Sequence, residues 1–217
     1  MTMLDKHLNL TPGAYILPTP AGAFKAVSEP GDNRLREFLL TLFDQQGEAL
    51  ITDANLCKWS RIASTPAAYE FVGRLQTLGW IQVRHSPYQV PAVPFQDTLP
   101  TLLPALSREG KILLADSQGF YLHSHGFPHE AAEELSALSA EIATLHARRA
   151  GVLNRNLGLN GSAWALTNAA GHSQLGFWPL FVGSERFVLV ISGAPAFNQP
   201  QLVELAFVLH KRFGIQP

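Results

Sequence analysis

Between Lys111 and Gly193 the chain changes its hydrophobic period twice. Ile112–Asp116 is an apolar run. Ser117-Gln118-Gly119 breaks it, and Phe120–Ser124 is aromatic-rich, which predicts a hairpin. From Pro128 to Arg149 the period becomes helical: Ala131, Ala132, Leu135, Leu138, Ile142 and Leu145 form one stripe. Glu130, Glu133 and Glu134 near its start and Arg148 and Arg149 near its end suit the helix dipole. Three β-type runs follow, Ser162–Asn168, Ser173–Leu180 and Arg186–Ile191, with a Gly/Asn-rich loop at Asn154–Gly161 before them. Two strands, a helix and three strands predict a helix packed on an antiparallel sheet.

The first ninety residues carry other periods. Ala14–Leu17 and Phe24–Val27 flank Pro18-Thr19-Pro20-Ala21-Gly22 and predict a small edge hairpin. Asp32 or Asn33 caps a helix over Arg34–Gln46, with Leu35, Phe38, Leu39, Leu42 and Phe43 on one face and Gly47 as the stop. Thr52 or Asp53 opens a second helix near Ala54–Ala63. Ser64 or Thr65, with Pro66, opens a third that ends at Gly79. Trp80–Arg84 alternates as a strand, and Tyr88–Val90 is its expected return. Three helices followed by a hairpin resemble a winged helix-turn-helix domain, on Ser64-Thr65-Pro66 and Leu75-Gln76-Thr77-Leu78-Gly79-Trp80-Ile81.

Pro91–Phe95 is a proline-bearing connector, so the expected division is 1–90, a linker at 91–96, and 97–217. Residues 97–109 read as a helix that Pro104 kinks or shortens, and Gln199–Phe213 as a final helix.

Composition narrows the classes. The 217 residues are 47% hydrophobic and 15% charged, which is globular and leaves much apolar surface to bury. The net charge of −1 argues against a dedicated nucleic-acid binder. With one cysteine, Cys57, no intramolecular disulfide or cysteine-based zinc site forms, which fits a reducing cytosol. The amino terminus has no secretory h-region, and no run is long enough to span a membrane, so a cytoplasmic protein is expected.

The order helix, hairpin, long helix, three strands, helix resembles the roadblock family of dynein-light-chain-like domains. Ala115-Asp116-Ser117-Gln118-Gly119-Phe120 fits the family's first hairpin. Gly171 resembles its next turn glycine, and Phe187-Val188-Leu189-Val190-Ile191 its final core strand. The resemblance covers slightly over half the chain. Two departures stand out: Pro104 in the first helix and a last helix longer than the smallest members have. It implies a five-stranded antiparallel sheet with the long helix on one face, and a homodimer formed by long helices and a sheet edge. It also implies a platform for Ras-like small GTPases, such as bacterial gliding and polarity GTPases, with no enzymatic residues and no cofactor.

The stripe Leu135, Leu138, Ile142 and Leu145 faces its own sheet, a twin, or both. Flanking Ser139, His146 and Arg149 are assigned to the dimer or partner surface, with Ala163, Ala165 and Thr167 on the edge strand. His123, His125 and His129 lie close together but lack a carboxylate at an informative spacing, so they read as ordinary surface histidines rather than metal ligands. Cys57 reads as a helix residue and Asp116 as turn chemistry. Lys58, Arg61, Arg74 and Arg84 are the phosphate contacts of the alternative, a winged-helix DNA-binding regulator with a dimerising C-terminal domain. The third helix offers only Arg74 as a base, which disfavours that alternative. The expected architecture is α+β: a winged-helix-like unit, then a roadblock, profilin-like sheet with helices.

Overall fold

The computed structural model describes residues 10–31, 33–90 and 93–214. Strand β1 (Tyr15–Pro18) leads into helix α1 (Pro20–Val27). Thr19 caps α1: its hydroxyl accepts from Gly22 N at 3.1 Å and donates to Gly79 O at 2.5 Å. Phe24–Val27 is therefore helical, and the expected edge hairpin is corrected. Pro20 sits in the first turn, where its missing N–H would have no intrahelical partner in any case.

Helices α2 (Arg34–Asp44), α3 (Asp53–Ser60) and α4 (Thr65–Thr77) follow. Asn33 caps α2 through Arg36 N and Thr52 caps α3 through Asn55 N. Asp32, the other expected cap, lies outside the described residues.

Strand β2 (Ile81–Arg84) pairs antiparallel with β1, Tyr15 opposite Arg84 and Pro18 opposite Ile81. β1 also meets the segment at Ala49–Ile51, through Ile16 N to Ala49 O at 2.8 Å and Ile51 N to Ala14 O at 2.7 Å. The expected wing, with Tyr88–Val90 returning along β2, is thus corrected. Its place is taken by a strand from in front of the helices, and Tyr88 N instead donates to Gly47 O at 3.0 Å.

Helix α5 (Phe95–Leu102) passes into a 3-10 turn at Leu103–Leu106, where Pro104 closes it as expected. The five-stranded antiparallel sheet comprises β3 (Ile112–Ala115), β4 (Tyr121–His125), β5 (Trp164–Thr167), β6 (Ser173–Val182) and β7 (Glu185–Ser192), in the order β4-β3-β7-β6-β5. The β3–β4 turn closes on Asp116, whose Oδ1 accepts from Gln118 N and Phe120 N, both at 2.9 Å. Helix α6 (His129–Gly151) continues through a π-helical turn at Val152–Asn156. Helix α7 (Pro200–Phe213) ends the described chain.

The alternation of the strands divides the core. Leu113, Ala115, Phe177, Val188 and Val190 pack on the α6 side. Ile112, Leu114, Leu180, Phe187, Leu189 and Ile191 join the opposite, larger cluster, which also holds residues of α1 to α5 and α7. That cluster continues across the 91–96 segment. Phe43 of α2 meets Phe207 of α7 edge-on at 4.8 Å, and Phe24 of α1 stacks on Phe197 at 5.1 Å.

Candidate interaction surface

Helix α6 rests on small side chains. Ala132, Ser136, Ser139 and Ala143, spaced by four, three and four, are its buried residues. The Ser136 hydroxyl donates to Ala132 O at 2.6 Å and that of Ser139 to Ser136 O at 2.7 Å, so neither needs a partner from the sheet. The turn below comes close enough that a Cβ on Gly119 would lie 3.2 Å from Ala137 Cα.

The leucine stripe consequently sits higher than the hydrophobic period implies. Leu135 and Ile142 are half-buried against the sheet, while Leu138 and Leu145 are 38% and 40% exposed. Ser139 is buried, not on the surface assigned to it. Arg149 is exposed and His146 half-buried.

β5 is the bare edge of the sheet: all four of its residues are exposed. Its register puts Trp164 opposite Phe177 and Leu166 opposite Leu175, on the α6 side, and leaves Ala165 and Thr167 facing the other way. Trp164 Nε1 donates to His146 Nδ1 at 3.1 Å, tying the edge to the flank of α6. Leu138, Ile142, Leu145, Trp164 and Leu166 therefore form one apolar strip alongside an unpaired strand edge. Trp164 and Leu166 were not among the residues singled out from sequence. Their signal was a tryptophan and a leucine two apart in a run with no charge.

Ala163, just before β5, is exposed, and its neighbour Ser162 donates to Ser28 O at 3.1 Å. A cavity of about 160 Å³ lies there between α1 and β6, lined by Phe24, Trp178 and Pro179 among others.

Three of the four cations of the DNA-binding alternative have partners within the chain. Arg61, in the left-handed region at φ 54°, pairs with Glu37 at 2.8 Å. Arg74 pairs with Glu70. The Arg84 guanidinium lies over the Tyr88 ring, 5.9 Å from its centroid. Lys58 is exposed on α3. A phosphate would have to compete with two carboxylates and an aromatic face.

His123 and His125 lie on β4, the opposite sheet edge. Burial holds the His123 imidazole below its usual pKa, and the neighbouring His125 adds to the effect. His129 Nδ1 lies 2.7 Å from Tyr121 Oη, and its Nε2 3.5 Å from Glu133 Oε1. Among the described residues no group of three or more His, Cys, Asp or Glu is placed to hold a metal ion. Cys57, half-buried on α3, lies 3.8 Å from Ala63 O. No helix among the described residues is long and apolar enough to cross a membrane.

The architecture is that of an α+β layered protein with one helix on one face of an antiparallel sheet and several on the other. No protein-family model matches the chain, and no curated protein matches it. Among solved structures the chain is similar to Myxococcus xanthus MglB, at 20% sequence identity and a TM-score of 0.32, covering 56% of this chain and 93% of that chain.

Proposed function

We propose that this chain is a non-enzymatic platform protein of the cytoplasm, working without a cofactor. It pairs with a second copy through α6 and β5, and as a pair holds or regulates a small GTPase of the Ras-like type. The observation that carries the pairing is the apolar strip from Leu138 to Leu166 beside an unpaired strand edge. An exposed edge next to exposed apolar side chains invites another chain, and native proteins otherwise protect such edges. The GTPase is the partner implied by the family resemblance of the β3–β4 hairpin, the β5–β6 turn and β7. Helices α1 to α4 with the β1–β2 pair add a second contact surface. Regulation would follow from differential affinity for the two nucleotide states.

Mass measurement in solution tests the pairing, and capture of a Ras-like GTPase loaded with GDP or a GTP analogue tests the partner. A dimer that retains one loaded state in preference to the other is expected. A monomer, or equal lack of binding in both states, overturns the reading.

A further inference from the structure

No carboxylate side chain lies between Glu141 and Glu185, in a chain whose net charge is −1. That stretch holds the end of α6, its π-helical turn and the loop before β5. Arg148, Arg149 and Arg155 stand exposed there, and none of them meets a carboxylate among the described residues. Large aliphatic side chains follow and interleave with them, also exposed: Val152 at 50%, Leu157 at 61% and Leu159 at 54%. Gly158, in the left-handed region at φ 66°, turns the chain between the two leucines. Leu159 N then donates to Leu153 O at 2.9 Å, so the loop folds back and keeps the leucines at the arginine-bearing end of α6. Glu29, which lines a cavity with Gly161 and Ser162, is already paired with Lys25 at 3.1 Å.

Single exposed leucines on a folded surface are ordinary. Aliphatic side chains clustered over Val152–Leu159 among such cations are a different pattern. It suits the boundary between water and an anionic bilayer, where apolar side chains enter the headgroup layer and cations meet phosphates. We propose that the end of α6, with its π-helical turn and the following loop, is a docking tip for an anionic lipid surface. The cations are all arginine, whose planar fork takes phosphate oxygens two at a time. No aromatic residue occurs over 148–163, so a single-stranded nucleic acid would find nothing to stack on. Protein interfaces centre on packed aromatic anchors, which the segment equally lacks. The docking is peripheral, since no helix among the described residues is long and apolar enough to cross a membrane. It does not depend on the pairing through α6 and β5, and it adds where the platform is held.

The test uses the full chain and vesicles of phosphatidylcholine, with or without an equal part of phosphatidylglycerol. Co-sedimentation should place the chain on the anionic vesicles, less so as salt rises, and leave it off the neutral ones. Arg148→Gln, Arg149→Gln and Arg155→Gln together should lower the partition coefficient by about a hundredfold, from about fivefold for each charge removed. Leu157→Ser with Leu159→Ser should lower it by about tenfold and leave its salt dependence in place. All five side chains are exposed, so circular dichroism of the variants should match the parent.

Insertion is read by an environment-sensitive dye on Leu159→Cys in a Cys57→Ser background. Its emission should shift to the blue on the anionic vesicles. The same dye on Phe120→Cys should not respond, because the β3–β4 turn packs at Ala137, roughly 20 Å back along α6 at 1.5 Å per residue. No partition onto the anionic vesicles, or partition unchanged in the arginine variant, overturns the proposal. Retention on heparin or polyglutamate without vesicle binding also overturns it, and assigns the arginines to an acidic macromolecule. So does a leucine variant with an altered mass in solution, which makes the tip a contact between copies. The pairing and the GTPase are judged by mass and capture of the parent chain without lipid, so the two readings fail separately.

Discussion

Arg36 reaches from α2 to the carbonyl of Phe181 in β6, its Nη2 donating at 3.2 Å. The same guanidinium donates through Nε to Ala26 O at 3.0 Å and through Nη1 to Gly31 O at 3.2 Å, with only 8% of the residue exposed. One side chain thus fastens α1, the turn after it and the five-stranded sheet. Its planar fork suits three separate acceptors as an ammonium would not. Arg36→Ala should cost about 2–4 kcal/mol, because it strands carbonyls that water reaches poorly. Arg36→Lys should recover only part of that loss. Urea denaturation of the three proteins checks the order.

Phe43 and Phe207 meet in the cluster shared by the early helices and α7. Phe207→Ala should destabilise by about 3–5 kcal/mol, as large buried aromatics do. The transition should remain single, since both parts of the chain lose the same packing. Two separated transitions in calorimetry would instead support independent domains on either side of 91–96.

Gly22 lies in α1 where a Cβ would overlap the Trp80 carbonyl oxygen. Its backbone is ordinary helix, so the requirement is for space. Gly22→Ala should therefore lower stability by about 1–3 kcal/mol, although alanine is the better helix former. A thermal melt of the variant above that of the parent would refute the close approach of α1 to Trp80.

His123 gives the chain an acid sensitivity. Its folded pKa is lowered from 6.5 by burial and then by His125. As pH falls through 6.5 the unfolded chain takes up a proton that the folded chain resists, so stability declines from there down to the lowered folded value. His123→Gln should flatten the stability profile over that window and leave it unchanged above pH 7.5. Denaturation midpoints across the range decide it.

Leu166 is 60% exposed on β5 and makes no part of either core cluster. Leu166→Lys should leave the denaturation midpoint of the separated monomer within about 0.5 kcal/mol of the parent. It should also reduce self-association, as a charged edge position does in natural sheets. Equal dimer affinity in the two proteins would place the contact elsewhere.

Much of the second half was legible because its signals are local. The helical period between His129 and Arg149, the Asp116–Gly119 turn and the apolar run of β7 each declare their element within a few residues. The largest apolar side chains of α6 do not mark its inward row. In α6 that row is Ala132, Ser136, Ser139 and Ala143, since close approach to the sheet favours small residues, and the leucines are displaced to the flank.

The first half failed where a partner was distant. Thr19 followed by Pro20 is a good helix opening, but Pro18 and Pro20 suit an edge strand equally well. Nothing near Trp80–Arg84 reveals that its neighbour is Tyr15–Pro18. Pairing across that separation leaves no mark in either segment beyond alternation. The edge position of Trp164 and Leu166 was similarly obscured, because apolar residues in a short strand usually signal burial.

The placement of β1 between Ala49–Ile51 and β2 has a consequence for biosynthesis. During translation β1 emerges well before either neighbour, and its second edge stays vacant until Arg84 has cleared the ribosome. Nascent chains halted before that point hold an unmatched apolar ribbon, the situation in which chaperones are recruited. Arrest peptides placed on either side of Arg84 should therefore report a sharp onset of pulling force once β2 is available.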